Sequence, residues 1–256
     1  MPGAEHEADF GGRVALVTGA ARNIGRAIAV ALAEGGASLV LTARSDREGL
    51  EETAREIRAR GQAAEVILAD VTRESDVASL FEGALRGFGR LDVLVNNAAV
   101  RSETPFEDMT LEHWHDILAV TLDGAFLCTR AALRPLTESG RGAVVNIGGL
   151  TAYLGAVNRA HVVTAKAGLD GLTKALAQEF APRGITVNLV SPGMIDTVRG
   201  GSSSAAAPAH HKIHKPLVGR RGAPWEVAAM VCHLCGPKGR FLTGQTIHVN
   251  GGTFLP

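Results

Sequence analysis

Thr18-Gly19-Ala20-Ala21-Arg22-Asn23-Ile24-Gly25 follows the short apolar run Arg13-Val14-Ala15-Leu16-Val17 and opens a helical pattern over Ile24 to Ala33. That order decides the fold. A glycine turn between a strand and a helix lets backbone N–H groups approach a pyrophosphate, and the helix N-terminus adds a partial positive charge. Gly19 and Gly25 supply the close approach. Asn23 stands where a middle glycine is common, and asparagine tolerates left-handed backbone better than most residues. A glycine pattern alone is weak evidence; the strand before it and the helix after it supply the confirming context.

The same alternation continues outward from this turn. Ser38 to Thr42, Ala64 to Leu68, Leu91 to Val95, Ala143 to Ile147, Ile185 to Val190 and Thr246 to Val249 read as strands. Helices are expected over Arg47 to Arg60, Glu74 to Phe88, Val162 to Phe180 and Trp225 to Cys235. Leu111 to Leu133 reads as one long helix, with Pro135 just beyond its end. The strands are short and apolar without alternation, as a parallel sheet buried on both faces requires. Helical crossovers between them predict an α/β Rossmann-type fold: a doubly wound parallel sheet of about seven strands with helices on both faces. No linker-like break interrupts the pattern, so residues 1–256 read as a single dinucleotide-binding domain. Residues 1–9 read as a flexible tail. Residues 198–215, with the run Arg199-Gly200-Gly201-Ser202-Ser203-Ser204-Ala205-Ala206-Ala207-Pro208, read as a substrate-side lid or a plain surface loop.

The chain has 256 residues, 46% hydrophobic and 20% charged, and a formal net charge of +0. Such a balance gives no electrostatic footprint for nucleic acid or an anionic membrane. No apolar run approaches the roughly 18–20 residues that cross a bilayer. Cys128, Cys232 and Cys235 make an odd count that fits a reducing cytoplasm better than a secreted disulfide framework. Cys232-His233-Leu234-Cys235 has metal-ligand spacing but no second pair, so no metal is expected there. His210, His211 and His214, near Lys212 and Lys215, read either as a greeting for an acidic substrate or as a solvated loop.

Several segments together resemble the short-chain dehydrogenase/reductase family, in its 3-oxoacyl-carrier-protein-reductase-like branch. Thr18 to Gly25 is similar to its TGxxxGxG motif, and Asn96-Asn97-Ala98-Ala99 to its NNAG motif. Ser191-Pro192-Gly193-Met194-Ile195-Asp196-Thr197 resembles its PGxIxT segment, and Gly244-Gln245 with Asn250-Gly251-Gly252 its C-terminal ending. The resemblance covers roughly residues 10–254. It implies an NADP(H) or NAD(H) site built on Gly19, Arg22, Asn23, Ile24, Gly25, Asp70, Val71, Asn97, Ala98, Lys166, Pro192, Gly193, Ile195 and Thr197. It also implies a homotetramer or homodimer and a small-molecule substrate. The end of the second strand chooses between cofactors, because an acid there would repel a ribose 2′-phosphate. Thr42-Ala43-Arg44-Ser45 carries none, and Arg44 with Arg22 suits a phosphate, so NADP(H) is expected. The bland reading makes both arginines solvated surface groups.

The resemblance implies a catalytic tyrosine four residues before Lys166, a serine upstream and an asparagine on the long helix. This sequence holds Val162, Gly149 and Thr121 at those positions. Valine cannot donate a proton. His161 is a candidate donor if the helix begins late enough to leave Ala160-His161 in the loop. Tyr153, the single tyrosine, is a second candidate or a pocket wall, and the Thr151 hydroxyl could replace the serine. Two functions follow: an NADP(H)-dependent oxidoreductase of carbonyls or alcohols with a non-standard proton relay, or a non-catalytic NADP(H)-binding protein.

Overall fold

The computed structural model describes residues 9–198 and 215–256. Seven strands form one parallel sheet: β1 (Val14–Thr18), β2 (Ser38–Ala43), β3 (Ala64–Leu68), β4 (Val93–Asn96), β5 (Ala143–Ile147), β6 (Thr186–Pro192) and β7 (Thr246–Val249). Their order is β3-β2-β1-β4-β5-β6-β7. The order reverses between β1 and β4, and a ligand crevice opens at the carboxyl ends of strands around such a switch point. The register pairs Val17 with Val95 there.

Every residue of β1, β4, β5 and β6 is buried, which explains why their apolar residues do not alternate with exposed polar ones. One face is covered by α1 (Asn23–Glu34), α2 (Arg47–Arg58) and α8 (Pro224–Cys235). Ile28, Leu32, Leu50, Ile57 and Leu234 fill that layer without solvent exposure. The opposite face is covered by α3 (Glu74–Phe88), α5 (Gly124–Glu138) and α7 (Ala160–Phe180), with Leu80, Leu94 and Leu136 in the core. Each fully buried side chain of this size contributes about 1.5–3 kcal/mol, so both layers are needed to hold the sheet.

Buried amides and hydroxyls bridge the strands and helices, although Asn96 Oδ1 has no partner. Asn96 Nδ2 donates to Asn146 Oδ1 (2.9 Å) and Thr129 Oγ1 (3.0 Å), and Asn146 Nδ2 donates to Thr173 Oγ1 (2.9 Å). This ladder ties β4 and β5 to α5 and α7 directly beneath the crevice. Asp92, fully buried, accepts from Val14 N (2.9 Å) and from Arg90 through Nε (2.8 Å) and Nη2 (2.6 Å).

The expected single helix over residues 111–133 is corrected by the structure. It consists of α4 (Leu111–Leu118), a π turn (Ala119–Asp123) and α5, which runs on to Glu138 with Pro135 inside it. A proline interior to a helix removes an N–H and a ladder bond. Pro135 sits in the last turn with its ring buried, so packing offsets that loss. The sixth strand extends two residues past Val190, to Pro192, and α7 starts at Ala160 rather than Val162. The first eight residues of the expected tail and nearly all of the expected lid, with His210, His211, Lys212 and His214, lie outside the described residues.

Candidate active site

The crevice is built on the β1 turn. Gly19 adopts φ +65° and Asn23 φ +53°, both left-handed, which glycine and asparagine accept most readily. Thr18 Oγ1 accepts from the Asn97 and Ala98 backbone N–H groups at 2.9 and 3.0 Å. Asn97 Nδ2 donates back to the carbonyls of Thr18 (2.9 Å) and Gly19 (3.1 Å). The turn and the loop after β4 are thereby locked together. Across the mouth, Asn23 pairs with the backbone of Val198: Nδ2 donates to the carbonyl (2.8 Å) and Oδ1 accepts from the N–H (2.9 Å).

A single cleft of about 390 Å³ runs from β2 across this turn to α7. Every cofactor-binding residue named from the sequence lines it: Gly19, Arg22, Asn23, Ile24, Gly25, Arg44, Ser45, Asp70, Val71, Asn97, Ala98, Lys166, Pro192, Gly193, Ile195 and Thr197. The cradle fits a dinucleotide. A Cβ on Gly25 would drive into the Gly19 carbonyl and to 2.6 Å from Asn97 Nδ2, so only glycine keeps this wall recessed. Arg44 is exposed at the far end of the cleft. Asp46 also lines that end, a carboxylate the sequence reading passed over, but its Oδ1 accepts from Gly49 N (3.0 Å) and caps α2. For Asp70, burial opposes the charge, but bonds from the Thr72 N–H (3.0 Å) and hydroxyl (2.7 Å) outweigh it and hold its pKa below the ordinary value.

The other end of the cleft carries the chemistry. Val162 and Lys166 lie one turn apart on α7 and both face in. Gly149 faces them, and a Cβ built on it would meet only Lys166 Cγ, at 3.9 Å. Lys166 Nζ donates to the Ile147 carbonyl at 2.6 Å. Burial, helped by the positive charge of Arg101, pushes its pKa down from 10.5 to about 7. Thr151, the first residue of α6 (Thr151–Leu154), also lines this end.

Two candidate donors are not brought there. His161 is the second residue of α7, so the late helix start its role required does not occur. It is fully buried, absent from the cleft wall, and its pKa is lowered chiefly by burial. Tyr153 also lines no part of the cleft. Its ring packs edge-on to His248 (centroids 4.6 Å apart) and stacks on Phe254 (5.5 Å), facing the C-terminal segment. Thr121 is buried in the π turn, and its neighbour Val120 lines the cleft instead. Sequence reasoning missed Arg101, Arg159 and Arg221, which also line the cleft, Arg101 close enough to Lys166 to act on its charge. Arg159 was the legible one, since it lies three residues before Val162, at the N-cap of α7.

Residues 19–253 match a family model described as Enoyl-(Acyl carrier protein) reductase. The chain is 39% identical over 244 residues to the 3-oxoacyl-[acyl-carrier-protein] reductase FabG of Aquifex aeolicus, covering 95% of this chain and 98% of that protein. It belongs to the short-chain dehydrogenase/reductase family. The FabG of Escherichia coli is 37% identical over 247 residues, covering 96% of this chain and 99% of its own. Among solved structures, a Sinorhizobium meliloti dehydrogenase/reductase superposes with a TM-score of 0.90 at 33% identity, covering 98% of both chains. A Burkholderia cenocepacia short-chain dehydrogenase in complex with NADP gives 0.88 at 34%, covering 96% of this chain and 99% of that one.

Proposed function

We propose that the protein is an NADP(H)-dependent oxidoreductase of a carbonyl or alcohol in which Lys166 itself exchanges the proton with the substrate oxygen. The observation that carries this reading is the cleft wall. At its α7 end, among the described residues, Lys166 is the one lining group whose pKa is set near neutrality. Arginine does not deprotonate in proteins, and a threonine hydroxyl is too weak an acid. A donor poised near the working pH is what general acid catalysis requires.

Bound NADP(H) would supply or accept a hydride at its nicotinamide ring. Gly19, Asn23 and Gly25 would hold its pyrophosphate on backbone N–H groups. Arg44 would meet the 2′-phosphate, and the NADP complex of the Burkholderia cenocepacia relative supports that choice. Lys166, anchored to the Ile147 carbonyl, would keep one ammonium proton on that bond and direct another at the substrate oxygen. Thr151 would donate a hydrogen bond to the same oxygen. Val162 would seal the wall against water. The names of the relatives, 3-oxoacyl-carrier-protein reductases, favour a ketone as the acceptor. We also read the protein as a cytoplasmic homotetramer or homodimer; no helix among the described residues is long and apolar enough to cross a membrane.

A second reading, a non-catalytic NADP(H)-binding protein, draws on Val162 and Gly149, which place no hydroxyl beside Lys166. Steady-state NADPH oxidation with ketones, 3-oxoacyl thioesters and quinones separates the two. Turnover that falls as pH rises above about 7, and that disappears in Lys166→Met while NADPH still binds, supports the enzyme. NADPH binding without turnover on any substrate supports the second reading.

A further inference from the structure

The charges in the cleft are segregated. Its lining carboxylates, Asp46 and Asp70, both sit at the β2–β3 end. Arg101 and Arg159 line the end around Lys166, Arg221 lines the cleft beside Ile195, and among the described residues no carboxylate other than Asp46 and Asp70 lines the cleft. Two acids stand behind these arginines rather than in the wall. Glu103 Oε1 accepts from Arg159 Nε (3.0 Å) and Nη2 (2.9 Å), and Asp196 Oδ1 lies 3.3 Å from Arg221 Nε. Arg221 Nη2 also donates to the Ile195 carbonyl (2.8 Å). The guanidinium of Arg159 is thus fixed by Glu103 on one edge, with its side chain only 9% exposed, while the residue still forms cleft wall one turn before Val162.

We propose that the substrate of this site is an oxo acid or hydroxy acid, whose free carboxylate is received between Arg101 and Arg159 beside Lys166. The inference rests on the reading of the cleft as an oxidoreductase site. Three physical arguments support it. A buried planar guanidinium held in place by an ion pair offers carboxylate a fixed fork with little ordering cost. The first turn of α7, which begins at Ala160 beside Arg159, adds the partial positive charge of a helix N-terminus to the same corner. Without an anion, Arg101 and Lys166 repel each other across the cleft, a repulsion that contributes to the lowered Lys166 pKa. A carboxylate between them offsets that repulsion and favours the ammonium form, so the substrate would load the proton it later receives. A neutral ketone would leave Lys166 partly deprotonated at neutral pH and would be a poorer substrate for that reason as well as through weaker binding.

The test compares 2-oxobutanoate and 3-oxobutanoate with their ethyl esters by calorimetric titration, with and without NADPH, while NADPH binding is followed separately by its fluorescence. The acids are expected to bind the NADPH complex at least tenfold more tightly than the esters. Arg101→Gln should reduce that preference at least fivefold and leave NADPH affinity unchanged. Arg159→Lys keeps a cation opposite Glu103 but loses the fork, and should reduce the preference without unfolding the protein. Equal binding of acids and esters to a protein that binds NADPH overturns the carboxylate site, as does a preference untouched by both substitutions. Loss of NADPH binding alongside a retained acid preference sinks the cofactor reading instead and leaves the anion site standing.

Discussion

The effect on stability of replacing Lys166 by methionine should depend strongly on pH. The ammonium is bonded to the Ile147 carbonyl but held in a site that lowers its pKa from 10.5 to about 7. A lysine whose folded pKa is depressed binds fewer protons in the folded state between those values. The unfolded chain therefore gains from protonation, and the native state is penalised most below pH 7 and least above 10.5. At about 1.4 kcal/mol per pH unit, the full penalty is roughly 5 kcal/mol. Contact with water in the cleft reduces it to roughly 3 kcal/mol. Methionine removes the penalty and also the bond to the Ile147 carbonyl, which for the neutral amine contributes about 0.5–1.5 kcal/mol. Lys166→Met should thus be more stable than wild type by about 2 kcal/mol at pH 6.5, and the gain should fall close to zero by pH 9.5. Urea unfolding at about pH 6.5, 8 and 9.5 measures this directly. A stability difference that does not vary with pH would refute the argument, because it would mean that the ammonium is not held in a desolvated state.

Other outcomes follow from the same geometry. Gly149→Ser has room for its side chain beside Lys166, and together with Val162→Tyr it restores a phenol and a hydroxyl at this end of the cleft. The double variant should raise kcat for neutral ketones at least tenfold, since a positioned general acid contributes about 10²–10⁴; an unchanged kcat would show that the proton step does not limit the reaction. Arg44→Gln should weaken NADPH about tenfold or more in a fluorescence titration and leave NADH unchanged, because only the former carries a 2′-phosphate. Asp92→Ala leaves the buried Val14 N–H without its acceptor and frees the half-exposed Arg90, and should cost about 2 kcal/mol in urea unfolding. A cost below about 1 kcal/mol would mean that the pair is solvated.

Much of the fold was legible because its signals are local. A strand, a glycine turn and a helix follow one another within residues 13–34, and strand burial on both faces removes the alternation that other sheets show. The cofactor cradle was legible for the same reason, since each of its segments lies at the end of a strand. The π turn at Ala119–Asp123 was not, because apolar periodicity continues through it and no proline or glycine pair marks it. Pro135 misled in the opposite direction: it reads as a stop, but burial of its ring keeps it inside α5. The catalytic end depended on side-chain direction. His161 and Tyr153 are close to Lys166 in sequence, yet a helix turns adjacent residues by ~100°, and α6 points its tyrosine at Phe254. Arg101 and Arg221 reach the site from loops far apart in sequence, and no pattern joins them.

The paired contacts between Asn23 and Val198 have a kinetic consequence. The residue that shapes the phosphate turn also grips the chain on the opposite bank, so one amide side chain acts as a latch. A nucleotide leaving past it must first break two hydrogen bonds. Exchange of the Val198 amide proton with solvent should therefore report each unlatching, and nucleotide departure can be no faster than that opening along this route.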